Sequence, residues 1–366
     1  MIHSQKERKK APKALIALSG GVDSSVAALL LQNEGYEITG VFIKISGPDF
    51  LPCTSEDDRL SALRVAAKLK IPFETIDLTN KYEKEVQKYI IREYREGRTP
   101  NPDTLCNRVI KFGPLFEYAD QNGFEYVATG HYARTEEKDA EVFLSIAKDA
   151  EKDQSYFLWQ VEKEKIHRIL FPIGNLSKPE VRKIAEKFGL HTASKRESQG
   201  LCFLGKVDLK EFLEKFIPLE IGKVLDTKGK EIGEHKGVSF YTLGERHGFT
   251  VFEKENDSLP FYVVSKNKKD NTLTVSTTTT QVNFLQREIF LSEVNNFRDI
   301  EKGEIFLFLP RYRGKKVFGK VASFDSEKHT ARIELEGSIL AASGQSLVAY
   351  DGEKVVFGGI IEEKME

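Results

Sequence analysis

Through the first half of the chain, short apolar runs alternate with stretches whose apolar residues recur at helical spacing. Residues 14–18, 37–45, 73–78 and 125–129 read as strands, and 24–33, 55–70, 82–96 and 114–121 as helices between them. That alternation predicts a parallel sheet with helices on both faces, in which ligands bind beyond the carboxyl ends of the strands. Helical stretches are expected to continue at 162–169 and, after the capping box Ser177-Lys178-Pro179-Glu180, as far as Phe188. Beyond residue 216 the pattern changes to short β-rich runs broken by turn residues, at 224–226, 231–233, 261–264, 272–275, 305–309, 317–322, 331–335 and 355–361. The tract 276–280 is polar and β-branched and reads as linker or strand edge. The expected fold class is α/β, an N-terminal doubly wound parallel sheet over 1–216, followed by a small β-containing central domain over 217–280 and a C-terminal β-barrel over 281–366.

The run Ser19-Gly20-Gly21-Val22-Asp23-Ser24-Ser25 joins the first strand to the first helix. Two residues without Cβ let the backbone turn sharply and bring its N–H groups against an anion, while the following helix aims its partial positive end at the same point. Ser19, Ser24 and Ser25 offer hydroxyls, and Asp23 offers a carboxylate to hold a metal or to position the loop. The Gly-Lys-Ser/Thr ending of a P-loop is absent, which argues against a kinase or a γ-phosphate motor. The loop resembles that of the ATP pyrophosphatase superfamily, whose members release pyrophosphate and leave AMP on the oxygen they activate. The plainer alternative is a Gly-Gly turn that only connects strand and helix.

With 366 residues, 40% of them hydrophobic, the chain is long enough for two or three domains with their own cores. Its longest apolar runs fall far short of the ~18 residues that cross a bilayer, and residues 1–13 form a lysine-rich tail lacking a signal peptide's apolar core. A cytoplasmic protein with no membrane partner is expected. The formal net charge of −1 provides no global field to attract nucleic acid, so any RNA contact must be local. Arg311-Tyr312-Arg313-Gly314-Lys315-Lys316 interleaves cations with an aromatic ring, as backbone neutralisation and base stacking require, although a solvated hairpin face has the same composition.

Three widely spaced cysteines, Cys53, Cys106 and Cys202, do not make a secreted disulfide framework. Cys106 lies three residues after Asp103 in the run 97–107, where Pro100 and Pro102 favour an extended, rigid presentation. Cys202 lies in Ser198-Gln199-Gly200-Leu201-Cys202-Phe203, with Lys195 and Arg196 upstream to favour a thiolate and Glu197 to oppose it. Both read as loop residues, whereas Cys53 beside Pro52 reads as a buried structural cysteine.

Taken together, the motifs resemble the tRNA-specific 2-thiouridylase family. The resemblance rests on Ser19 to Ser24, the run 97–112, Ala128-Thr129-Gly130-His131-Tyr132-Ala133-Arg134, Lys152-Asp153-Gln154-Ser155-Tyr156-Phe157-Leu158 and the run 198–203. It continues with Tyr241-Thr242-Leu243-Gly244, Arg311-Tyr312-Arg313, Gly344-Gln345-Ser346, Tyr350-Asp351-Gly352 and the closing Gly358-Gly359, in order along nearly the whole chain. Glu245, and Ala342-Ser343 before Gly344, depart from the family pattern. The resemblance implies an adenine nucleotide alpha hydrolase-like N-terminal domain and ATP-dependent exchange of the C2 oxygen of a tRNA wobble uridine for sulfur. It implies ATP and Mg²⁺ as cofactors, and as partners tRNA and a persulfide donor, either a cysteine desulfurase or a sulfur-relay protein.

By motif position, the resemblance implies that Ala17, Leu18, Ser19, Gly20, Gly21, Val22, Asp23, Ser24, Ile43 and Gly130 line the ATP site. It implies that Asn101, Pro102, Asp103, His131, Lys152, Asp153, Gln154, Arg311, Tyr312 and Gln345 meet tRNA, and that no residue is a dedicated metal ligand. Cys202 would carry the persulfide, Cys106 would liberate or resolve its sulfur, and the two would end joined in a disulfide. Asp103 is the candidate acid or base, its alternative being to cap a nearby helix. The competing functional classes are an ATP-pyrophosphatase ligase or amidotransferase acting on a small molecule, a tRNA-binding protein regulated by nucleotide, and an iron–sulfur protein.

Overall fold

The computed structural model describes residues 11–47, 55–138, 141–196, 209–252, 259–278 and 285–363. They form two compact units, the first drawn from Met1–Thr79, Asn107–Ser155 and Glu164–Gln199, and the second from Asn80–Cys106, Tyr156–Lys163 and Gly200–Glu366.

In chain order the first unit comprises β1 (Lys13–Ala17), α1 (Val22–Asn33), β2 (Glu37–Lys44), α2 (Ser55–Leu69), β3 (Phe73–Asp77), α3 (Gly113–Asn122), β4 (Tyr126–Ala128), β5 (Arg134–Lys138), β6 (Glu141–Ser145), β7 (Ile169–Leu170) and α4 (Lys178–Lys187). The sheet is parallel in the order β3-β2-β1-β4-β7. Side chains alternate across a strand, so Ala14, Ile16 and Leu18 join the core formed with α1, α2 and α4, while Leu15 is equally buried on the other face. Burial on both faces is what makes this strand read as a continuous apolar run. The chain leaves β1 for β2 on one side and later returns to β4 on the other, so the crevice beyond β1 and β4 is the topological switch point of the sheet. The predicted capping box before α4 forms, with the Ser177 N–H donating to Glu180 Oε2 at 2.7 Å.

Three features depart from the pattern-based reading. The helix expected over 82–96 is broken into Thr79–Tyr82, a π-helical stretch Glu83–Gln87, and Lys88–Arg95. The stretch 162–169 is a 3₁₀ helix, Lys163–Arg168, followed directly by β7. The antiparallel hairpin β5–β6 was not expected, because Arg-Thr-Glu-Glu-Lys carries no apolar alternation.

The second unit contains a sheet ordered β10-β9-β8-β12-β11, made from β8 (Gly222–Leu225), β9 (Glu231–His235), β10 (Phe249–Val251), β11 (Tyr262–Asn267) and β12 (Thr272–Ser276). The β8–β12 pairing is parallel and the others are antiparallel. Six further strands follow: β13 (Gln286–Asn296), β14 (Ile305–Leu309), β15 (Val317–Asp325), β16 (Thr330–Ile339), β17 (Ser346–Asp351) and β18 (Lys354–Glu362). They close into the expected antiparallel barrel, because β13 pairs with both β16 and β18. Closure removes the unpaired edges that an open sheet would expose. Phe306, Phe308 and Phe324 each meet Phe357 edge-on at centroid distances of 5.8 Å in its core.

Gly358 in β18 gives a direct test of packing in this unit. A Cβ there would lie 2.6 Å from the ring of Trp159, which is wholly buried. Gly358→Ala should therefore destabilise the protein by about 1–3 kcal/mol through overpacking. A urea titration checks this, with the midpoint falling at an unchanged slope.

Candidate functional site

The loop after β1 is shaped for close approach of another group. Gly20 has φ +75°, and a Cβ there would run into the Asp58 carbonyl. Gly21 is the N-cap of α1 and has no side chain, so no capping side chain covers the amides of the first helical turn. Ser24 Oγ accepts from the Ser19 N–H at 3.2 Å, and the buried Ser25 hydroxyl donates to Gly21 O at 2.7 Å. Ser25 thus braces the loop from inside, while Ser19 is exposed at its mouth. Gly130, just after β4, must be glycine for a second reason. A Cβ on it would lie 2.6 Å from Ser24 N and 2.8 Å from Asp23 C, so the end of β4 rests directly on the start of α1.

Asp23 is held from two sides, which fits the loop-positioning role. Lys178 Nζ, at the first residue of α4, lies 2.8 and 2.7 Å from its two carboxylate oxygens, and the Tyr132 hydroxyl donates to Oδ1 at 2.9 Å. Lys178 is buried, and its ammonium also sits 5.7 Å from the centroid of the Tyr132 ring. Behind the loop, Gly20 O accepts from Ser61 Oγ at 2.9 Å and from Lys195 Nζ at 3.0 Å, and Lys195 is also paired with Asp58 at 2.7 Å. With the Ser61 hydrogen directed to Gly20, His191 Nε2 at 2.9 Å acts as donor to Ser61 Oγ. Lys195 is thus tied to the loop after β1, while its expected partner Cys202 lies outside the described residues. Lys178 and Tyr132 escaped prediction as site residues because their partner Asp23 is more than a hundred positions away in sequence. Their only local signals were a capping box and a motif containing Gly130.

Among the remaining expected nucleotide-site residues, Leu18 donates its N–H to Val41 O at 2.8 Å, Ala17 ends β1, and Ile43 is buried near the carboxyl end of β2. His131 Nδ1 lies 2.8 Å from Thr129 Oγ1 and Nε2 lies 3.3 Å from Lys111 Nζ. Burial, followed by the Lys111 charge, holds its pKa well below the ordinary value of 6.5. The ring is therefore neutral, with Nε2 accepting from the ammonium and Nδ1 carrying the proton. Asp153 accepts from the Ala147 N–H at 2.9 Å and the Ser155 hydroxyl at 2.9 Å, and Gln154 Oε1 accepts from the Tyr132 N–H at 2.9 Å. Gln154 Oε1 thus holds Tyr132, and the Lys152 N–H donates to Asp149 O at 3.0 Å.

In the second unit, the segment expected to be extended is a short helix, Pro102–Cys106. Proline is tolerated at a first helical position because the missing N–H has no partner there in any helix, so Pro102 starts the helix instead of preventing it. Thr104 Oγ1 donates to Asn101 O at 2.9 Å, and Asp103 lies in the first turn. Cys106 is the last α-helical residue before a π-helical stretch, Asn107–Phe112, that runs directly into α3, and it is 0% exposed, which corrects its placement in a loop. Arg311 and Arg313 are exposed between β14 and β15. Tyr312 packs on Phe157 at 4.6 Å, with the Arg313 guanidinium 5.3 Å from the centroid of its ring. Gln345 lies just before β17, where its Nε2 is 3.0 Å from Thr99 O and 3.1 Å from Pro100 O. Cys53 and Cys202 lie outside the described residues, as does the run 198–203. Among the described residues no group of three or more His, Cys, Asp or Glu could hold a metal, and no helix is long and apolar enough to cross a membrane.

Residues 12–206 match a tRNA methyl transferase HUP domain, and residues 210–277 match a tRNA methyl transferase PRC-barrel domain. The chain is 37% identical over 355 residues to the tRNA-specific 2-thiouridylase MnmA of Streptococcus thermophilus (strain CNRZ 1066), covering 96% of this chain and 95% of the relative. It is 35% identical over 353 residues to the protein of the same name from Listeria innocua, covering 96% and 94%. A solved 4-thiouridine synthetase–RNA complex with bound ATP aligns with 56% of this chain and 50% of its own at 23% identity, with a TM-score of 0.36.

Two outcomes follow from this geometry. Gly130→Ala should push the start of α1 away from the end of β4 and weaken ATP binding at least ~10-fold by equilibrium dialysis. The second outcome concerns acid stability. His131, His191 and His235 all have folded pKa values below the ordinary imidazole value, in each case first because of burial. As pH falls below 6.5 the unfolded chain takes up protons that the folded chain refuses, so stability present at neutral pH is lost. His131→Gln should reduce the slope of unfolding free energy against pH between about 6.5 and 5, measured by urea titration.

Proposed function

Because the chain belongs to the tRNA-specific 2-thiouridylase family, we propose that it exchanges the C2 oxygen of the wobble uridine in tRNA for sulfur at the expense of ATP. The observation that carries the ATP half of this reading is the uncapped start of α1, held open by Gly20, Gly21 and Gly130. Such a helix end stabilises phosphate through its amides and its partial positive charge. Lys178 supplies a buried cation at the same point. The matched domains are named for methyl transfer, but the relatives that align over nearly the full chain are named for thiolation, which agrees with a triphosphate cradle.

In the proposed first step, the uridine C2 oxygen attacks the α-phosphorus of ATP, the bond to the β-phosphate breaks, and pyrophosphate leaves. Residues 17–24, Ile43 and Gly130 hold the nucleotide. With no acidic cluster among the described residues, Mg²⁺ is expected to enter on the triphosphate rather than in a protein cage. In the second step, sulfur from a persulfide on Cys202 attacks C2 and AMP departs with the original oxygen. Cys106 either releases that sulfur as sulfide beforehand or cleaves the RNA-linked disulfide afterwards. Both routes leave a Cys106–Cys202 disulfide, which a thiol must reduce with two electrons before the next cycle.

Asp103, in the first turn of the helix that ends at Cys106, is the proposed acid or base. Asn101 and Pro102 flank the target base, while His131, Lys152, Asp153, Gln154, Arg311, Tyr312 and Gln345 contribute to the tRNA surface. We assign catalysis to 1–216, with the central domain at 217–280 and the barrel at 281–366. A persulfide-bearing protein, either a cysteine desulfurase or a sulfur-relay protein, supplies sulfur, and the cytoplasm is the proposed compartment. Because Cys106 is wholly buried, sulfur transfer requires its segment to open when substrates are bound.

The test is incubation with ATP, Mg²⁺, a persulfide donor and bulk tRNA, followed by digestion of the RNA. The expected product is 2-thiouridine, with one turnover in the absence of reductant leaving Cys106 and Cys202 oxidised. Cys202→Ser should accept no persulfide sulfur, Cys106→Ser should load but fail to complete transfer, and Cys53→Ser should stay active. Thiols still reduced at both positions, alongside newly formed 2-thiouridine, would sink the sulfur-transfer route.

A further inference from the structure

The C-terminal barrel makes an unusual set of contacts within its own unit. Gly344, Gln345 and Ser346, at the start of β17, face three consecutive residues that lead into the helix Pro102–Cys106. Gln345 Nε2 lies 3.0 Å from Thr99 O and 3.1 Å from Pro100 O. An amide nitrogen carries two hydrogens, and these two carbonyls take both, leaving Gln345 only its oxygen for any other partner. The Tyr156 hydroxyl donates to Ser346 O at 2.9 Å and also bonds the Asn101 side chain. The Thr99 N–H donates to Ser343 O at 2.8 Å.

Gly344 shows how close this approach is. Its φ is +90°, and a Cβ on it would lie 2.9 Å from Thr99 O and 3.2 Å from Thr99 N. The clamp is fastened in turn to the barrel wall. Gly344 N–H donates to Ile361 O at 2.9 Å, and Ile361 N–H donates to Gln345 O at 2.7 Å. One residue before the clamped segment, the Arg98 guanidinium forks onto the Glu362 carboxylate at 3.0 and 3.2 Å, and Glu362 ends β18. The last barrel strand, the clamp and the start of the short helix are therefore one continuous hydrogen-bonded path.

We propose that the barrel sets the position of the segment carrying Asp103 and Cys106, and that Gln345 is the positioning residue through which it does so. What the segment accomplishes rests on the thiolation reading given above. The barrel is then part of the catalytic apparatus as well as a surface for RNA. Gln345 contributes to turnover through the backbone at Thr99 and Pro100, whether or not its oxygen also meets RNA.

Gln345→Glu keeps the shape and an acceptor oxygen but aims an oxygen in place of the donor at two carbonyls. Three measurements separate the possibilities: the single-turnover thiolation rate at saturating tRNA, the tRNA dissociation constant by filter binding, and the alkylation rate of Cys106 by iodoacetamide in the protein alone, read by peptide mapping. The proposal expects thiolation at saturating tRNA to fall at least ~10-fold, beyond any change in the tRNA constant, because a small misplacement of reacting groups costs rate rather than binding. It also expects Cys106 to be alkylated faster than in Gly358→Ala, the barrel variant that serves as a control for lost stability alone.

Weakened tRNA binding with unchanged Cys106 alkylation would make Gln345 an RNA contact and overturn the proposal, as would no change in any readout. If Gln345→Glu fails to fold, Gly344→Ala, which presses on the Thr99 backbone, is judged by the same outcomes. A wild-type protein that makes no 2-thiouridine would remove the thiolation reading, whereas the alkylation comparison would still decide whether the clamp holds Cys106 in place.

Discussion

The loop proposed to hold nucleotide depends on the close approach of two backbones, the start of α1 and the turn after β4. A helix start leaves roughly four N–H groups without a helical partner. Here the preceding residues are glycines that supply no capping side chain, and the neighbouring turn carries a glycine that leaves room for the helix itself. Any side chain at Gly130 would occupy the space of the Asp23–Ser24 backbone. Lys178 and Tyr132 then fix Asp23, and Ser61 and Lys195 hold the Gly20 carbonyl from behind. The loop is thus held in place by groups that lie behind and beside it, and for the proposed phosphate site this would be preorganisation.

A second preorganised region lies within the other unit. The helical turn bearing Asp103 and Cys106 runs on through the π-helical stretch Asn107–Phe112 into α3, so its far end is fixed by the helix it continues into. Its approach is tied to the barrel by Gln345, Ser343, Ser346 and Tyr156. A closed barrel suits this role because its strands have no free edge along which to slip, and every strand is held on both sides. The same unit displays Arg311 and Arg313, both exposed, in the β14–β15 connection.

How much was legible in advance depends on the range of the interaction. The strands of the parallel sheet were found from apolar runs, and the barrel strands from short β-branched segments between turns. The parts that escaped notice had weak or misleading local signals. The first strand of the β5–β6 hairpin is polar along its length, the π-helical break at Glu83–Gln87 sits within an unbroken helical pattern, and Pro102 looked like a helix breaker although it occupies a first turn. Cys106 was assigned to a loop for the same reason, and the fold buried it completely.

The sequence alone determined the order of elements, the switch from α/β to all-β, and the glycine-rich turn with its helix, because each is encoded by neighbours a few residues apart at periods of two or near four. It also identified the family through motifs spread along the chain. Tertiary structure decided which side chains those motifs meet: Lys178 with Asp23, Lys195 with Gly20 and Asp58, and Gln345 with Thr99 and Pro100. These partners are separated by between 137 and 246 residues, and periodicity carries no information over that distance. Long-range pairs of this kind are set by how the elements pack.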